Sequence, residues 1–591
     1  MTYKAPVDDI MRALKSAAGL SDLSQRGLNG GIDEETLRAI LEEAGRFGAE
    51  VLDPLNAVGD RAGSRLVDGK VVTPPGWAEA YQAFAAAGWS ALPCPEEFGG
   101  QGLPEIVSMA ACEVWNSANL SFGLCPLLTQ GAIDALDAQG SDALKQTYLP
   151  KMISGQWTGT MNLTEPQAGS DLGALTTRAE RQVDGTYKIT GTKIFITYGD
   201  HEMAENIIHL VLARLSDAPS GTRGISLFVV PKYLVNDDGS LGERNDVICA
   251  SLEHKLGIHA SPTCVMKFGE QGGATGYLVG EENRGLNAMF IMMNAARLAV
   301  GVQGVAIAER ATQHAAAYAA ERRQGRAPGT DGMAPIIAHP DIRRSLLTMK
   351  SMTQAARSIC LATAREIDIS HRAESEAERQ SAAARAALLT PIAKAFSTDI
   401  GCEVASIGVQ IHGGMGFIEE TGAAQYYRDA RILPIYEGTN GIQALDLVGR
   451  KLPLENGQVA EHYLGELAGS VEELRASNNP AFGKMADRLA DALAALAEAS
   501  RWLGKALAKN PEAAQAGATP YLRLFGLTAG GVYLAREALA AAREGGGADD
   551  GAIVLARFFA ENLVTAAPGL AQSVMDGADS ILALPVERLA V

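Results

Sequence analysis

The residues best suited to chemistry lie in segment 431–443, RILPIYEGTNGIQ, where a single carboxylate stands among apolar and turn-forming residues. Glu437 follows Ile435 and Tyr436 and precedes the small, turn-prone segment 438–441. Burial beside these apolar side chains disfavours the ionised carboxylate and raises its pKa toward neutrality, where a general base can remove a carbon-bound proton and still turn over. The same pattern fits an ordinary loop glutamate that hydrogen-bonds its own turn. The residues alone leave both interpretations open.

Four further segments precede this one, and their order limits the interpretation. They are GWSALPCPEEFGGQGLP at 88–104, MNLTEPQAGSD at 161–171, GTKIFIT at 191–197 and QIHGGMGF at 410–417. In this order and spacing the five segments resemble the acyl-CoA dehydrogenase family, from about residue 35 to about residue 450. The resemblance implies an enzyme that uses FAD to oxidise an acyl-CoA thioester between its α and β carbons.

Such an oxidation needs a base on one face of the acyl chain and a hydride acceptor, flavin N5, on the other. The carbonyl must also be polarised by donors aimed at the developing enolate oxygen. The resemblance assigns the base to Glu437, and the donors to the Glu437 N–H and a ribityl hydroxyl of FAD. Some relatives instead carry the base just before an arginine of a long helix. That position here is Ala296, before Arg297, and alanine cannot act as a base.

The resemblance also implies where FAD binds. Phe195 corresponds to an aromatic residue that stacks on the flavin ring, and Thr197 to a hydroxyl beside flavin N5. Many members have Trp at the position of Phe195, and Phe keeps the ring but lacks the indole N–H. Arg322 matches an arginine that reaches the pyrophosphate of FAD across a dimer. The predicted cofactor-binding residues are Leu163, Thr164, Ser170, Phe195, Thr197, Arg322, Gln410, Gly413, Gly414 and Thr439.

The predicted substrate contacts surround the base and the flavin loop, and they are Ser170, Arg297, Tyr436 and Gly438. Ser170 also fits a turn serine, because Ser before Asp is common in turns. His412 is predicted to pack or to bond a backbone group, since the chemistry already has a base. The chain departs from the family twice: a Gly/Pro-rich segment, 325–335, replaces an aromatic residue after the arginine, and Gly441 replaces a frequent glutamine.

Composition limits the partners and the compartment. The formal net charge of −18 disfavours nucleic-acid binding, which needs clustered Lys and Arg. Seven cysteines without a C-x-x-C pair predict reduced thiols, no disulfide and no structural zinc site. The N-terminus lacks the basic-then-apolar order of a signal peptide, and we find no uninterrupted apolar run of about 18 residues. We therefore expect a cytoplasmic protein without an integral membrane segment.

The hydrophobic patterns along the chain predict an α+β fold, with the layout of the acyl-CoA dehydrogenase family that the chain resembles. Helical spacing dominates an N-terminal domain at 1–157, alternating β patterns mark a middle domain at 158–282, and Ala-rich helices form a third domain at 283–451 that carries the base. Strands are predicted at 186–190, 193–197, 207–212 and 225–230, with a hairpin turn at Asp184 and Gly185. After a Pro/Gly-containing break, a helical extension is predicted at 458–591.

The extension and the resemblance together predict partners and substrate. In relatives with such an extension the added bundle covers the surface that pairs dimers into tetramers, so we expect a homodimer. Electron-transferring flavoprotein is the expected electron acceptor. The overall length, the ERRQG turn at 321–325, the HPDIRR segment at 339–344 and the extra bundle resemble a bacterial branch of the family. That resemblance implies a short sulfur-bearing substrate, 3-(methylthio)propanoyl-CoA, with medium- or long-chain fatty acyl-CoA as the alternative. An acyl-CoA oxidase and a non-catalytic flavoprotein remain the other hypotheses.

Overall fold

The computed structural model describes residues 2–590, and its first part is mainly helical. Asp33 caps the third helix by accepting a hydrogen bond from the Thr36 N–H at 2.7 Å, and Leu37 and Leu41 of that helix point into the core. The elements are α1 Val7–Ser16, α2 Leu20–Gln25, α3 Glu34–Phe47, α4 Asp53–Ala62, β1 Arg65–Val67, β2 Lys70–Val72, α5 Trp77–Ala86, α6 Glu105–Ala118, α7 Leu120–Gln139 and α8 Asp142–Ile153.

The middle part forms a β domain around an eight-stranded sheet. Seven strands follow the order β10-β11-β5-β12-β7-β6-β3, and β4 pairs with β5 and β6. All neighbours are antiparallel except β3 with β6 and β4 with β6. The strands are β3 Trp157–Asn162, β4 Arg178–Arg181, β5 Tyr187–Thr197, β6 Asn206–Leu215, β7 Ile225–Pro231, β8 Tyr233–Val235, β9 Leu241–Arg244, β10 Val247–Leu252, β11 Thr263–Phe268 and β12 Ala274–Val279.

The predicted hairpin at Asp184 and Gly185 is present between β4 and β5. The two strands predicted at 186–190 and 193–197 are instead the single strand β5. Gly191 interrupts the alternation in the sequence but not the strand. A Cβ at this position would lie 2.3 Å from the Thr177 hydroxyl oxygen, so the glycine permits a close approach of the neighbouring chain.

Three long helices form the centre of the third part. The helix α9 packs against α10 and α11 of this part and against α6 and α7 of the first part, so the two helical parts share one hydrophobic core. Gln303 of α9 and Lys394 of α11 contact the segment that carries Glu437. The helices are α9 Gly285–Glu321, α10 Pro340–Arg372, α11 Glu376–His412, α12 Ala423–Ala430 and α13 Asn440–Asp446.

The predicted break before the extension is present: Glu455 and Asn456 have positive φ values of 50° and 58°. The helix α17 then packs against α10 and α11, and the extension joins the same core. Its helices are α14 Gln458–Ala476, α15 Met485–Lys509, α16 Pro511–Ala516, α17 Ala518–Arg543, α18 Gly551–Asn562, α19 Ala567–Asp576, α20 Ala578–Leu582 and α21 Val586–Leu589. The predicted α+β class and order of parts are confirmed, whereas the predicted domain limits stay predictions.

Two helical stretches in the described part of the chain are long and apolar enough to span a bilayer by length and composition. One is α9, whose most apolar window is 72% buried inside the fold, and the other covers 551–576, with 33% of its window buried. The second is not one continuous helix, because α18 ends at Asn562 and α19 begins at Ala567. Core helices commonly reach this length and apolarity, so both are weak evidence for a membrane span.

Candidate active site

Glu437 lies in a strained turn between α12 and α13. Its φ of 55° is unusual for a residue with a side chain and occurs mainly where the surrounding structure enforces it. The enforcing contacts come from two helices. Lys394 of α11 donates through Nζ to the Gly438 carbonyl at 2.9 Å and to Asn440 Oδ1 at 2.8 Å, and Gln443 of α13 donates through Nε2 to the Glu437 carbonyl at 3.1 Å. These contacts fix the backbone of the turn that carries Glu437.

The carboxyl group of Glu437 has the electrostatics of a general base. Burial raises its pKa from the model-peptide range to about 7, although the positive charges of Arg297 and Lys394 lower it in part. No hydrogen bond or ion pair joins this carboxyl to another residue within 2–590, and the backbone N–H of Glu437 likewise donates to none of them. Ile435 is 49% exposed, so the burial expected from this neighbour comes from other side chains instead.

The predicted substrate contacts other than Ser170 lie around this turn. Arg297, at the middle of the buried face of α9, donates to Asn294 Oδ1 at 3.2 Å and lies 4.0 Å from Asp446 Oδ2. The Tyr436 hydroxyl donates to the side-chain carbonyl of Gln303. Gly438 has a φ of 85°, and a Cβ there would lie 2.7 Å from Gln443 Nε2. Glycine is therefore required beside the base.

The predicted flavin contacts form a second group on the β domain. The Ile194 N–H of β5 donates to the Thr164 carbonyl at 2.9 Å, which joins the loop after β3 to the strand that carries Phe195 and Thr197. Lys193 of the same strand stabilises this loop, because its buried Nζ donates to the Leu163 carbonyl at 3.0 Å and to Glu165 at 2.8 Å. Ser170 follows on an exposed turn.

Phe195 has the properties of a stacking platform. Its side chain is 58% exposed, and its φ of 60° is a strained conformation for an aromatic residue. A large aromatic group held outward in this way exposes a ring face at a cost in conformational and hydration free energy. A planar ring stacked on it would recover part of that cost, so the residue fits an isoalloxazine group.

The remaining predicted cofactor contacts, except Thr439, lie at the far end of the third part. Tyr318, one turn before Arg322, stacks on His412 with ring centroids 4.4 Å apart, which brings the ends of α9 and α11 together. Arg322 is exposed there, as are Gln410, Gly413 and Gly414. The φ of Gly413 is 59°, and a Cβ on either glycine would meet no atom within 4 Å, so their backbone is open to a ligand. These groups suit a pyrophosphate.

His412 is not available for catalysis. The imidazole Nδ1 lies 2.7 Å from the Gly408 carbonyl, and burial lowers the pKa of the ring. Together with the stacking on Tyr318, this agrees with the predicted packing role. Thr439, by contrast, lies on the turn of Glu437, where its hydroxyl caps α13 by accepting from the Ile442 N–H at 3.3 Å.

A predicted substrate contact and a predicted pyrophosphate contact lie far apart along α9. Arg297 and Arg322 both belong to α9 or its end and are 25 positions apart, which corresponds to about 37 Å at 1.5 Å per residue. Arg322 therefore lies at the end of α9, far along the helix from Arg297, whose charge acts on Glu437.

Four family models and several known proteins match this chain. Family models match at 34–156 (Acyl-CoA dehydrogenase, N-terminal domain), 160–270 (Acyl-CoA dehydrogenase, middle domain), 283–452 (Acyl-CoA dehydrogenase, C-terminal domain) and 463–585 (Acetyl-CoA dehydrogenase C-terminal like). A protein of Ruegeria pomeroyi named 3-methylmercaptopropionyl-CoA dehydrogenase is 51% identical over 98% of this chain and 99% of its own. The chain belongs to the acyl-CoA dehydrogenase family.

This acyl-CoA dehydrogenase has other full-length relatives. A butyryl-CoA dehydrogenase of Syntrophomonas wolfei is 35% identical over 94% of each chain. A Caenorhabditis elegans structure, ACDH-11 in complex with C11-CoA, shares the fold with a TM-score of 0.78 at 20% identity, over 98% of this chain and 95% of that one. A Bacillus anthracis acyl-CoA dehydrogenase structure with FAD has a TM-score of 0.75 at 22% identity, over 95% and 90%. The enzyme is thus an FAD-dependent oxidoreductase that acts on acyl-CoA.

A small cleft with a cavity volume of about 50 Å³ lies between α6, α7 and α9 of the dehydrogenase. Ala296, at the alternative base position, lines one side of it beside Ala295 and Ala299. Hydrogen bonds connect the cleft to the turn of Glu437. The Tyr436 hydroxyl donates to Gln303, whose Nε2 donates to Asn116 Oδ1 at 3.0 Å. Asn116 in turn donates to the carbonyl of Cys112, a residue of the cleft wall, at 2.8 Å.

Sequence reasoning missed the residues that hold the segment around Glu437 in place. Lys394, Gln443 and Gln303 are fully buried, and all three bond to residues 436–438. One signal was present in the sequence: Lys394 is a lone lysine in the apolar stretch 391–396, PIAKAF. A buried lysine needs a partner, and burial lowers its pKa to about 7. No cluster of three or more His, Cys, Asp or Glu suited to a metal occurs in residues 2–590.

Proposed function

We propose that Glu437 is the general base of an α,β-dehydrogenation that yields a trans-2-enoyl-CoA. The observation that carries the proposal is its unpartnered carboxyl group with a pKa of about 7. Such a group is half ionised at neutral pH, so it can accept an α-proton and release it again. The free N–H of Glu437 is positioned to donate to the developing enolate oxygen of the thioester.

FAD, when bound, supplies the acceptor for the β-hydride. Phe195, Thr197, Leu163 and Thr164 would hold its flavin, and their shared position beside β5 supports this assignment. Arg322 with the 410–414 segment would hold the pyrophosphate of an FAD whose flavin lies in another copy, because these residues are about 37 Å along α9 from Arg297. We therefore infer a homodimer with shared cofactor sites.

We infer a short sulfur-bearing acyl group, as in 3-(methylthio)propanoyl-CoA, as the preferred substrate. The 51% identity over nearly the full length to a protein named for that activity supports it. The alternative of an ordinary fatty acyl-CoA is supported by the butyryl-CoA dehydrogenase of Syntrophomonas wolfei. We further propose electron-transferring flavoprotein as the electron acceptor and the cytoplasm as the compartment.

The assignment of the base is tested by Glu437→Gln, which keeps the size and polarity of the side chain. Holoenzyme is mixed anaerobically with a panel of acyl-CoA thioesters, and bleaching of the flavin absorbance is followed. We expect the variant to retain FAD and to reduce it at least about a hundredfold more slowly, which is the usual contribution of a general base.

Glu420→Gln is the matched control, because Glu420 is an exposed glutamate of the same part of the chain. This control should reduce FAD at the wild-type rate. Near-normal reduction by the Glu437→Gln variant would show that another residue is the base. A wild-type enzyme that holds FAD but is reduced by no thioester of the panel would contradict the proposed reaction itself.

A further inference from the structure

The cleft between α6, α7 and α9 has one apolar wall and one polar wall. On the α9 side it is lined by alanines, including Ala296, whereas α6 and α7 contribute the polar side chains of Glu105, Gln130 and Asp134. The proposed reaction uses none of these three polar residues. An acyl chain that enters the cleft would place the atoms beyond its β carbon toward them, so their bonding state bears on which chains are accepted.

Glu105 is the first residue of α6, and its side chain has no partner. Its backbone N–H donates to Asp368 Oδ1 at 2.6 Å, but its carboxyl group makes no hydrogen bond or ion pair to another residue within 2–590. Burial, together with the negative charges of Asp134 and Asp368, raises the pKa of Glu105 to about 8. At neutral pH the group is mainly a neutral carboxylic acid with one O–H to donate.

The neighbouring polar groups do not accept that proton. Gln130 is already engaged: its Nε2 donates to Asp134 Oδ1 at 2.9 Å, and its side-chain oxygen accepts from Cys94 Sγ at 3.3 Å. Trp89, which also lines the cleft, has a buried indole N–H without an acceptor in the described part of the chain. Two groups on the cleft wall therefore lack a protein partner in the described part of the chain: the buried Trp89 indole N–H and the half-buried Glu105 carboxyl. An apolar ligand that covers them would leave both without a hydrogen bond, at a cost in free energy.

We propose that Glu105 recognises a neutral acceptor atom of the acyl chain beyond the β carbon, such as a thioether sulfur or an ether oxygen. A carboxylate at this place in the chain would be repelled by Asp134. An all-carbon chain would fit by size but would leave the Glu105 O–H unpaired. This inference rests on the proposed function, because it takes the acyl group to occupy the cleft during the reaction.

The test compares substrates of equal length on two variants of Glu105. Glu105→Gln keeps a donor of the same reach, and Glu105→Leu keeps the bulk but removes the donor. Holoenzymes reduce FAD anaerobically with 3-(methylthio)propanoyl-CoA against pentanoyl-CoA, and with 4-(methylthio)butanoyl-CoA against hexanoyl-CoA. In each pair a sulfur replaces one CH₂ group. The ratio of the second-order rate constants of FAD reduction within a pair, compared between enzymes, cancels the intrinsic reactivity of each substrate.

We expect the sulfur-to-carbon ratio of at least one pair to fall about three- to tenfold in Glu105→Leu, as for the loss of one hydrogen bond, and to stay near wild type in Glu105→Gln. An unchanged ratio in Glu105→Leu for both pairs, with an active enzyme, would overturn the role of Glu105. So would an equal fall in both variants. Failure of the proposed function has a different signature, since wild-type enzyme would then reduce its FAD with none of the four thioesters.

Discussion

Arg297→Met should move the pH dependence of flavin reduction to higher pH. Burial raises the pKa of Glu437 to about 7, and of the two positive charges that oppose this increase Arg297 has the larger effect. Methionine keeps much of the packing volume on α9 but removes the charge. An opposite charge at this range is worth about one pKa unit or more, so the pKa of Glu437 should rise to about 8 in the variant.

The magnitude follows from the ionised fraction of the base. At pH 7 a carboxyl with a pKa of about 7 is half ionised, and one with a pKa of about 8 is ionised in about one molecule of eleven, so reduction should slow about fivefold. At pH 9 the two enzymes should differ by only about a tenth, because both carboxylates are then ionised. Anaerobic stopped-flow reduction of bound FAD from pH 6 to pH 9 measures both limits.

Arg450→Met is the matched control. Arg450 pairs with Asp446 at 2.5 Å, as Arg297 does at 4.0 Å, but its charge is not among those that affect the pKa of Glu437. The pH profile of this control should match wild type. A profile of Arg297→Met that is lowered equally at every pH would refute the electrostatic reasoning and would indicate a loss of substrate positioning instead.

Two further predictions concern the cofactor and the stability of the fold. Arg322→Met should weaken FAD binding about tenfold or more, because one charged hydrogen bond is lost, whereas the control Arg323→Met should leave FAD binding unchanged. Fluorescence titration of the two apoenzymes with FAD measures this, and equal affinities would contradict the pyrophosphate assignment. Burial raises the pKa of Glu537 from 4.5 to about 7, so the folded state holds its proton more tightly and stability is lost as pH rises from about 4.5 to about 7. In urea unfolding, the free energy of unfolding of Glu537→Gln should fall less steeply with pH over that window than that of wild type, by up to about 1.4 kcal/mol per pH unit. Parallel falls in the two proteins would exclude Glu537 as a source of the pH dependence.

Several elements could be predicted from the local sequence because the interactions that form them involve only neighbouring residues. The hairpin at Asp184 and Gly185 follows from turn chemistry that needs only adjacent residues. The break at 452–457 follows from Pro and Gly in the same way. The order of helical, β and helical parts was also predicted correctly, since hydrophobic periodicity is written along each element. The single strand β5 was missed because the partner that makes Gly191 acceptable, Thr177, lies on another segment.

The sequence by itself determined the family, the cofactor and one candidate base, because five segments in a fixed order and spacing carry that information. Only the tertiary structure decided what surrounds the base. Lys394 and Gln303, which bond to the segment of Glu437, are 43 and 134 positions away from it along the chain, and the charges and burial that raise its pKa come from other helices. The unpaired Glu105 likewise depends on α6, α7 and α10 meeting in space. Burial and charge are sums over neighbours, and neighbours are known only once the chain is folded.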